Sequence, residues 1–516
     1  MSKLSRRAFL RNAALTAAAV RLHAQAESNA QATLVLSSAE EGPHMPADFV
    51  GLSYEVQELN NPGFFSPANT GLVRAFRELS SHGVLRLGGN TSEFGYWKAD
   101  PNAPEPKHPA TREVAGEPMA QFYSVTPEAI RNLAAFLKVT GWTCLYGIGM
   151  GTNTPERAAE EAAYVAKTLG DRLQYFQVGN EVDLFDRHLR DPKTWSSQAY
   201  LNEWLAIARA VTARVPSARF GIPDVAGKVE WLTQIADLWP AIENPPHVTT
   251  LSHHHYFGGP ATNPDVNIPN LLKPETMKKV QTTADTATAA AAKMGVRVRM
   301  TEGNTCYRGG KPGVSDVFAS ALWAANYALL IASNNYSGIN LHGGNGKSVA
   351  NSVGGVLPGD VMLKDQGVSE AEIATHPHPF YTPIGAFGAD YVLEPVAYGL
   401  KFAGLFSGAT LLKTDMTAPL QASGVNATAF AAKMPDGKLS VIVLNKDAER
   451  DVNVTLDFGA MKTTTTGRGA KVETLTADAL TSRKARIAME PKSIVVKDGK
   501  ARVTVAKSSA MRITRG

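Results

Sequence analysis

Two glutamates stand at the ends of apolar segments, where carboxyl groups can do chemistry. Residues 173–182 form an apolar segment that closes on Asn180 and Glu181, and residues 296–302 end on Glu302. Buried parallel strands are near-continuous apolar runs, and active-site groups lie at their carboxyl ends. Burial at such a position can raise the pKa of a carboxyl group. Glu181 and Glu302 are therefore the candidate catalytic pair.

A pair of this kind suits the hydrolysis of a glycosidic bond. In the retaining mechanism one carboxylate attacks the anomeric carbon, while a second carboxyl group, roughly 5–5.5 Å away, donates and later removes a proton. Strands four and seven of an eight-stranded barrel face each other across its mouth, so Glu181 and Glu302 can reach that spacing. Asn180 is placed to hydrogen-bond the 2-hydroxyl of the sugar, a contact that strengthens in the transition state.

The elements around the pair alternate between strand and helix patterns. The predicted strands span 49–55, 83–90, 143–149, 173–182, 219–223, 248–253, 296–302 and 338–342. The predicted helices span 71–81, 127–140, 155–169, 197–215, 228–239, 273–294 and 316–332, with Thr126 and Thr154 as caps. Eight strand-then-helix units predict an α/β fold, a (β/α)₈ TIM barrel.

The pattern changes after about residue 395. Short alternating segments separated by Gly, Asp, Asn and Lys predict a C-terminal antiparallel β-sandwich domain. We therefore divide the chain into a catalytic barrel at 27–394 and a β-sandwich domain at 395–516. A short strand near 33–36 precedes the barrel pattern and is a candidate to join the β domain. A Gly-rich insertion at 345–378 follows strand eight, and its length predicts a functional loop at the barrel mouth.

The first 26 residues have the parts of an export signal in order. Paired arginines at 6–7 precede a short apolar run at 13–20 and an Ala-Gln-Ala sequence at 24–26. The twin arginines indicate the Tat route, so we expect a Tat-type signal peptide at 1–26 and a periplasmic or secreted protein. The apolar run is too short to span a bilayer, so no membrane association is expected after signal cleavage.

Composition and residue spacing argue against a nucleic-acid-binding protein, a disulfide-bonded protein and a metalloprotein. The formal net charge of +5 over 516 residues is mild, and no dense basic tract is interleaved with aromatics, so nucleic acid is not an expected partner. The two cysteines, Cys144 and Cys306, lie near ends of different predicted strands and are expected to be free buried thiols. Adjacent histidines at 253–255 alternate faces on a strand, so they cannot all ligate one metal. We expect neither a metal nor another cofactor.

Several motifs together resemble a known family. Val-Gly-Asn-Glu at 178–181 and Met-Thr-Glu-Gly at 300–303 resemble the acid/base and nucleophile strands of the clan A retaining glycosidases. Four further stretches are similar to glycoside hydrolase family 79, which holds β-glucuronidases and heparanases: 85–90, 252–257, 342–344 and 380–384. The resemblance runs over the whole chain after residue 26, and it implies that Glu181 is the acid/base and Glu302 the nucleophile.

The same resemblance implies roles for other residues at the substrate. Tyr256 is expected to contact the nucleophile, and Tyr307 to lie at the sugar. Tyr381 is expected to bind the carboxylate of a glucuronate, assisted by a backbone N–H at Gly344.

Three polar groups near the barrel mouth complete the expected site. Glu55, at the end of strand one, could accept hydrogen bonds from sugar hydroxyls, and Asn90 is expected to bind substrate. Arg86, on strand two, is expected to point into the barrel and pair with Glu181 or Glu302.

The function implied is that of a retaining exo-β-glucuronidase acting on glucuronic-acid-containing glycans or glycosides. A heparanase-like endo-β-glucuronidase is an alternative, as is another clan A specificity such as that of a β-xylosidase. A non-catalytic sugar-binding protein belongs to a different class, and the intact pair of glutamates argues against it. The insertion at 345–378 departs from the family, where the flanking motifs can lie close together. It could close a pocket, which favours exo action, or extend recognition to the aglycone.

Overall fold

A closed barrel of eight parallel strands forms the centre of the molecule. The computed structural model describes residues 30–36, 39–459, 469–491 and 494–515; the predicted signal at 1–26 lies outside them. The strands follow one another around the barrel in chain order. They are β1 (Val50–Glu55), β2 (Val84–Gly88), β3 (Thr143–Ile148), β4 (Leu173–Val178), β5 (Phe220–Val225), β6 (Val248–Gly258), β7 (Arg297–Cys306) and β8 (Tyr336–His342).

Eight helices surround the barrel. They are α1 (Thr70–Leu79), α2 (Pro127–Thr140), α3 (Pro155–Leu169), α4 (Ser197–Arg214), α5 (Glu230–Leu238), α6 (Pro274–Met294), α7 (Phe318–Ser333) and α8 (Pro395–Ala403). Thr126 and Thr154 accept hydrogen bonds from the first turns of α2 and α3, as predicted from the cap pattern. The sequence pattern did not predict α8, which packs so closely on α7 that Gly399 lies against the backbone of Ala321.

The insertion after β8 is mostly helical. It contains helices at Gly346–Ser352, Pro358–Asp365 and Glu370–Ile373, followed by a hairpin of Ile384–Phe387 and Asp390–Leu393. Leu357 and Val349 of this segment pack on Tyr381 at the barrel mouth. The segment therefore forms part of the wall above the carboxyl ends of the strands, where active sites of such barrels lie.

Two sheets pack face to face at the C-terminus. One has the strands Glu40–His44, Thr410–Lys413, Ala427–Lys433, Leu439–Asn445, Ser509–Thr514, Lys471–Thr476 and Arg486–Met489, in that spatial order. The other has Ala30–Val35, Val452–Asp457, Lys500–Val505 and Val496–Lys497, and its first two strands pair in parallel. Alternate apolar residues of both sheets form one core. The predicted fold class, a TIM barrel with a C-terminal antiparallel β-sandwich, is confirmed.

The β domain and the barrel share a buried surface on α7. This helix is apolar on nearly all sides, because one side covers the barrel and the other meets α8 and the β domain. Backbone N–H groups of Phe318 and Ala319 donate to the carbonyls of Ser482 and Leu480. Cys144 and Cys306 are free and buried, as predicted. Within the described ranges, no helix has the length and apolar character needed to cross a membrane.

Candidate active site

Glu302 is held at the barrel mouth by two strong hydrogen-bond donors. The Tyr256 hydroxyl donates to its Oε1 at 2.9 Å, and Arg86 Nη1 donates to its Oε2 at 2.6 Å. Burial by itself would raise the pKa of Glu302. The charges of His342, His254 and Arg86 and the bond from Tyr256 outweigh burial and hold the pKa well below its usual range. Glu302 is therefore ionised, as a nucleophile must be.

Glu181 lies directly after β4, in a sharp turn. Both Gly179 (φ 81°) and Glu181 (φ 49°) have left-handed backbones, and the Glu181 N–H donates to the carbonyl of Asp224 at 2.9 Å. A non-glycine residue in this region is strained and is typical of functional sites. Burial, reinforced by the negative charge of Glu302, raises the pKa of Glu181 against the opposing effect of His254. Glu181 therefore retains its proton to a higher pH than Glu302 does.

His254 stands between the two glutamates as a cation. Its Nδ1 lies 3.1 Å from Oε1 of Glu181 and 4.0 Å from Oε1 of Glu302, and its Nε2 lies 3.2 Å from Oδ2 of Asp224. Burial opposes charging of the ring, but the carboxylates of Asp224 and Glu302 raise its pKa to about 10. An imidazolium can donate from both ring nitrogens, so His254 connects the acid/base candidate to Asp224.

The other two histidines of the run have different surroundings. Burial lowers the pKa of His253 to about 4 and that of His255 to about 3, so both are neutral at pH 7. The Nε2 of His253 lies 2.8 Å from the Tyr336 hydroxyl, away from the glutamates. Alternation along β6 therefore directs His254 alone of the three to the two carboxyl groups.

Atoms of Glu181, His254 and Glu302 lie within 4.8 Å of one another. Such a cluster can serve as a metal site, but a protonated imidazole has no free lone pair for a metal. The hydrogen bond between His254 and Glu181, together with the attraction between the His254 cation and Glu302, accounts for the close approach. The same distance places a carboxylate oxygen of Glu181 within 4.8 Å of one on Glu302, close to the separation found in retaining glycosidases.

Arg86 connects the groups beneath the cavity. Its Nη2 donates to Oδ1 of Asn180 and to Oδ2 of Asp224, both at 2.5 Å, while Nη1 bonds Glu302. The predicted pairing of Arg86 with Glu302 is confirmed. Arg86 and Asp224 are completely buried, and paired charges satisfy each other there.

Sequence reasoning missed Asp224. The signal was present, because Asp224 lies near the carboxyl end of β5, as Glu181 lies just after β4. The predicted strand ended at position 223, one residue before Asp224 and two residues before the observed end of β5. The backbone of Asp224 is left-handed (φ 64°), and its carboxylate also accepts a hydrogen bond from Thr301. Charges from Arg86 and His254 outweigh burial and hold its pKa far below the usual range.

The structure brings most of the predicted substrate-binding residues together. Tyr256, Tyr307 and Tyr381 all line the same cavity as Glu181 and Glu302. The ring of Tyr256 lies 6.5 Å from that of Tyr307 and 6.2 Å from that of Tyr381, centre to centre. The three phenols therefore form an aromatic wall beside Glu302.

The two predicted asparagines bind each other. Asn180 Nδ2 donates to Oδ1 of Asn90 at 2.7 Å. Asn90 lines the cavity, whereas Asn180 is 2% exposed and lies beneath it, against Arg86. One N–H of the Asn180 amide therefore orients Asn90.

Glu55 and Gly344 lie outside the lining of this cavity. Glu55 is 1% exposed and accepts from the N–H and hydroxyl of Thr91 at 3.0 and 2.6 Å. Its other oxygen faces Nε2 of His342 at 3.3 Å, so Glu55 supports His342 from behind. The N–H of Gly344 donates to the Thr382 hydroxyl at 3.3 Å, and Gly344 lines a separate cavity.

The cavity above the glutamates has a volume of about 490 Å³. Two segments meet over one side of it: the loop at 98–122 and the first turns of the insertion. The N–H of Met119 donates to the carbonyl of Asn351 at 2.9 Å, and Asn90 Nδ2 donates to the carbonyl of Ser352 at 3.4 Å. The opposite side is lined by residues that follow β5 and by α6, including Ala226, Gly227, Lys279 and Thr283.

Two curated proteins named as β-glucuronidases are similar to part of this chain. No protein-family model matches the chain. A β-glucuronidase of Aspergillus niger is 26% identical over 280 residues, and one of Neurospora crassa is 23% identical over 284. Each alignment spans half of this chain and half of the relative.

Solved structures with the same fold cover nearly the whole chain. A 4-O-α-L-rhamnosyl-β-D-glucuronidase from Fusarium oxysporum matches with a TM-score of 0.69 and 17% identity, over 94% of this chain and 100% of the other. An arabinofuranosidase from Xanthomonas axonopodis pv. citri matches with a TM-score of 0.63 and 15% identity, over 95% and 100%. These likenesses establish the shared barrel-plus-β-sandwich fold.

Proposed function

We propose that this protein is a retaining exo-β-glucuronidase that removes terminal β-linked glucuronic acid. One observation carries the proposal: two carboxyl groups within 4.8 Å of each other have pKa values moved in opposite directions, Glu302 down and Glu181 up. Environments that separate two carboxyl pKa values assign one group as base or nucleophile and the other as acid.

In the first step, the ionised Glu302 attacks the anomeric carbon and forms a glycosyl ester. Protonated Glu181 gives its proton to the departing glycosidic oxygen. Tyr256 and Arg86 orient the two Glu302 oxygens, so the attack begins from a fixed geometry.

In the second step, water enters on the Glu181 side and attacks the ester. Glu181 is now a carboxylate and removes a proton from that water. The Glu302 charge that raised the pKa of Glu181 is gone in the ester, while His254 stays beside Glu181 as a cation. The loss of the Glu302 charge and the presence of the His254 cation both favour ionised Glu181, the form that a general base requires. Hydrolysis of the ester releases Glu302 as a carboxylate.

The choice of a glucuronoside rests on the two β-glucuronidase relatives and on the motifs resembling glycoside hydrolase family 79, to which we assign the chain. In this proposal the phenols of Tyr307 and Tyr381, together with Asn90, hold the glucuronate. Exo action is favoured because the loop at 98–122 and the insertion meet over one side of the cavity. Export through the Tat route to the periplasm or beyond remains part of the proposal, based on residues 1–26.

A matched substrate pair tests the proposal. We expect hydrolysis of 4-nitrophenyl β-glucuronide, with a much lower kcat/KM for 4-nitrophenyl β-glucoside, which lacks the C6 carboxylate. Proton NMR should show the β-anomer of glucuronic acid as the first product, and a 2-fluoro-glucuronide should label Glu302. Equal rates on both substrates, or the α-anomer first, would contradict it. Oligosaccharides released from a uronate polymer would favour the endo alternative.

A further inference from the structure

The strongest unexplained feature is the contact between the loop at 98–122 and the insertion. We call this contact the clasp; it consists of Gly116 and Met119 on one side and Asn351 and Gly354 on the other. A Cβ atom at Gly354, whose φ is 101°, would lie 3.0 Å from the Cα of Gly116. Glycine is therefore required here both by the backbone conformation and by the close approach of two main chains.

Both sides of the clasp are anchored. The N–H of Met119 bonds the carbonyl of Asn351, whose side chain donates to Oε1 of Gln57 at 2.9 Å. On the far side of the loop, the Arg112 guanidinium donates to the carbonyls of Asp186 and Arg190, both at 2.7 Å. These bonds tie the loop to the turns after β4 and tie the insertion to the turn after β1.

The position of the clasp relative to the glutamates determines which part of the bound sugar it lies beside. The glycosidic oxygen must lie beside Glu181, and C1 beside Glu302, so the C4 hydroxyl lies at the opposite end of the sugar ring. Leu184, Ala226 and Gly227 line the cavity near Glu181. The lining also includes Ser352 and Val353, which adjoin Gly354 in the clasp. The carbonyl of Ser352 accepts from Asn90, which follows β2, and β2 lies across the barrel from β5 and β6.

We infer that the clasp closes the cavity at C4 of the terminal sugar, so that only glucuronate with a free 4-hydroxyl is a substrate. Glucuronosides that carry a methyl group or a further sugar on O4 would be excluded. This inference rests on the proposed function and narrows its substrate class. The Fusarium oxysporum structure of the same fold is named as a 4-O-rhamnosyl-glucuronidase, so the fold itself does not exclude a 4-O-substituent.

The test compares aryl β-glucuronides with and without a 4-O-methyl group. We expect the wild-type protein to hydrolyse the unsubstituted compound with a kcat/KM about 100-fold higher, near the upper range for one excess carbon in a closed pocket. Gly354→Ala should reduce this ratio about tenfold, because its Cβ strains the backbone and separates the two segments.

Gly367→Ala is the matched control. Gly367 lies in the same insertion with a similar left-handed backbone (φ 79°), but no described atom lies within 4 Å of a Cβ placed there. It should keep the wild-type ratio. Asn351→Ala, which removes the anchor to Gln57, provides a second route to a loosened clasp if Gly354→Ala does not fold.

The possible results separate the two proposals. Hydrolysis of both compounds at equal kcat/KM by the wild-type protein overturns the inference and leaves the glucuronidase proposal in place. A ratio that both Gly354→Ala and Asn351→Ala leave unchanged also overturns it. Hydrolysis of neither compound overturns the proposed function, and the inference with it.

Discussion

Asp224 lies 3.2 Å from His254, and neither side chain has any exposed surface. Asp224 holds His254 as a cation, and His254 in turn reaches Glu181. A residue that does not face the cavity thus influences the acid/base group through one intermediary. Arg86 and His254 pair with the carboxylates of Asp224 and Glu302 in the same buried cluster. The charge of Glu181 therefore depends on groups from several strands and not on its own segment alone.

Asp224→Asn should lower the pKa of His254 from about 10. Removing an opposite charge at this distance changes a pKa by about 1–3 pH units, and the remaining amide keeps the shape of the contact. NMR titration of the His254 ring measures this directly. Asp186→Asn, which breaks a more exposed ion pair with Lys228, should leave that titration unchanged. An unaltered His254 pKa in Asp224→Asn would show that Asp224 does not set its charge.

The pH dependence of kcat/KM should be bell-shaped. Activity requires Glu302 ionised, so it falls as pH drops through the lowered pKa of Glu302. It also requires Glu181 protonated, so it falls as pH rises through the raised pKa of Glu181. Neighbouring cations and Tyr256 lower the pKa of Glu302 against burial, whereas burial raises the pKa of Glu181, so the plateau of activity lies between the two values. A profile without an alkaline limb would argue against Glu181 as the acid.

Tyr256→Phe should weaken the nucleophile without removing it. The bond to Glu302 at 2.9 Å is lost, so the pKa of Glu302 rises and the acidic limb of the profile moves to higher pH. We expect kcat/KM to fall about 10- to 100-fold, the equivalent of one hydrogen bond to a charged group. Tyr336→Phe is the control, because its hydroxyl bonds His253 on the other face of β6.

Variants of the two glutamates should differ in a diagnostic way. Glu302→Ala should abolish turnover of an aryl β-glucuronide, because no ester can form. In Glu181→Ala, kcat/KM should fall about 10²–10⁴-fold for substrates with poor leaving groups and much less for substrates with good leaving groups. Added azide should restore the turnover of substrates with good leaving groups by Glu181→Ala. The expected product is a β-glucuronosyl azide. Wild-type rates in Glu302→Ala would rule out the assigned nucleophile.

Arg86→Met should destabilise the protein strongly. It leaves Asp224 buried without its closest cation, and breaking a buried pair in this way costs about 3–5 kcal/mol. Urea unfolding provides the measurement. Arg187→Met removes a half-exposed partner of Glu117 and should change the free energy of unfolding by about 1 kcal/mol or less. Similar values for the two variants would mean that the buried network contributes little.

Much of the framework was predictable from local patterns. All eight barrel strands and seven of the surrounding helices were predicted near their observed positions, because apolar periodicity and caps act within a few residues. Helix α8 was missed because its apolar surface reflects contact with α7, not a local period. The glycine content of the insertion predicts a loop. Helices form there because apolar residues of the insertion pack on Tyr381 and on one another.

The sequence by itself determined the barrel and β-sandwich, the strand ends that carry Glu181 and Glu302, and the expectation that Arg86 turns inward. Strand-to-helix alternation fixes at which end of the barrel those groups emerge. Only the tertiary structure decided which charges meet. Asp224, His254 and Arg86 lie on three strands, β5, β6 and β2, and their pKa values depend on distances that no local pattern encodes. The clasp is likewise a contact between segments more than 200 residues apart, so its effect on the cavity exists only in the folded chain.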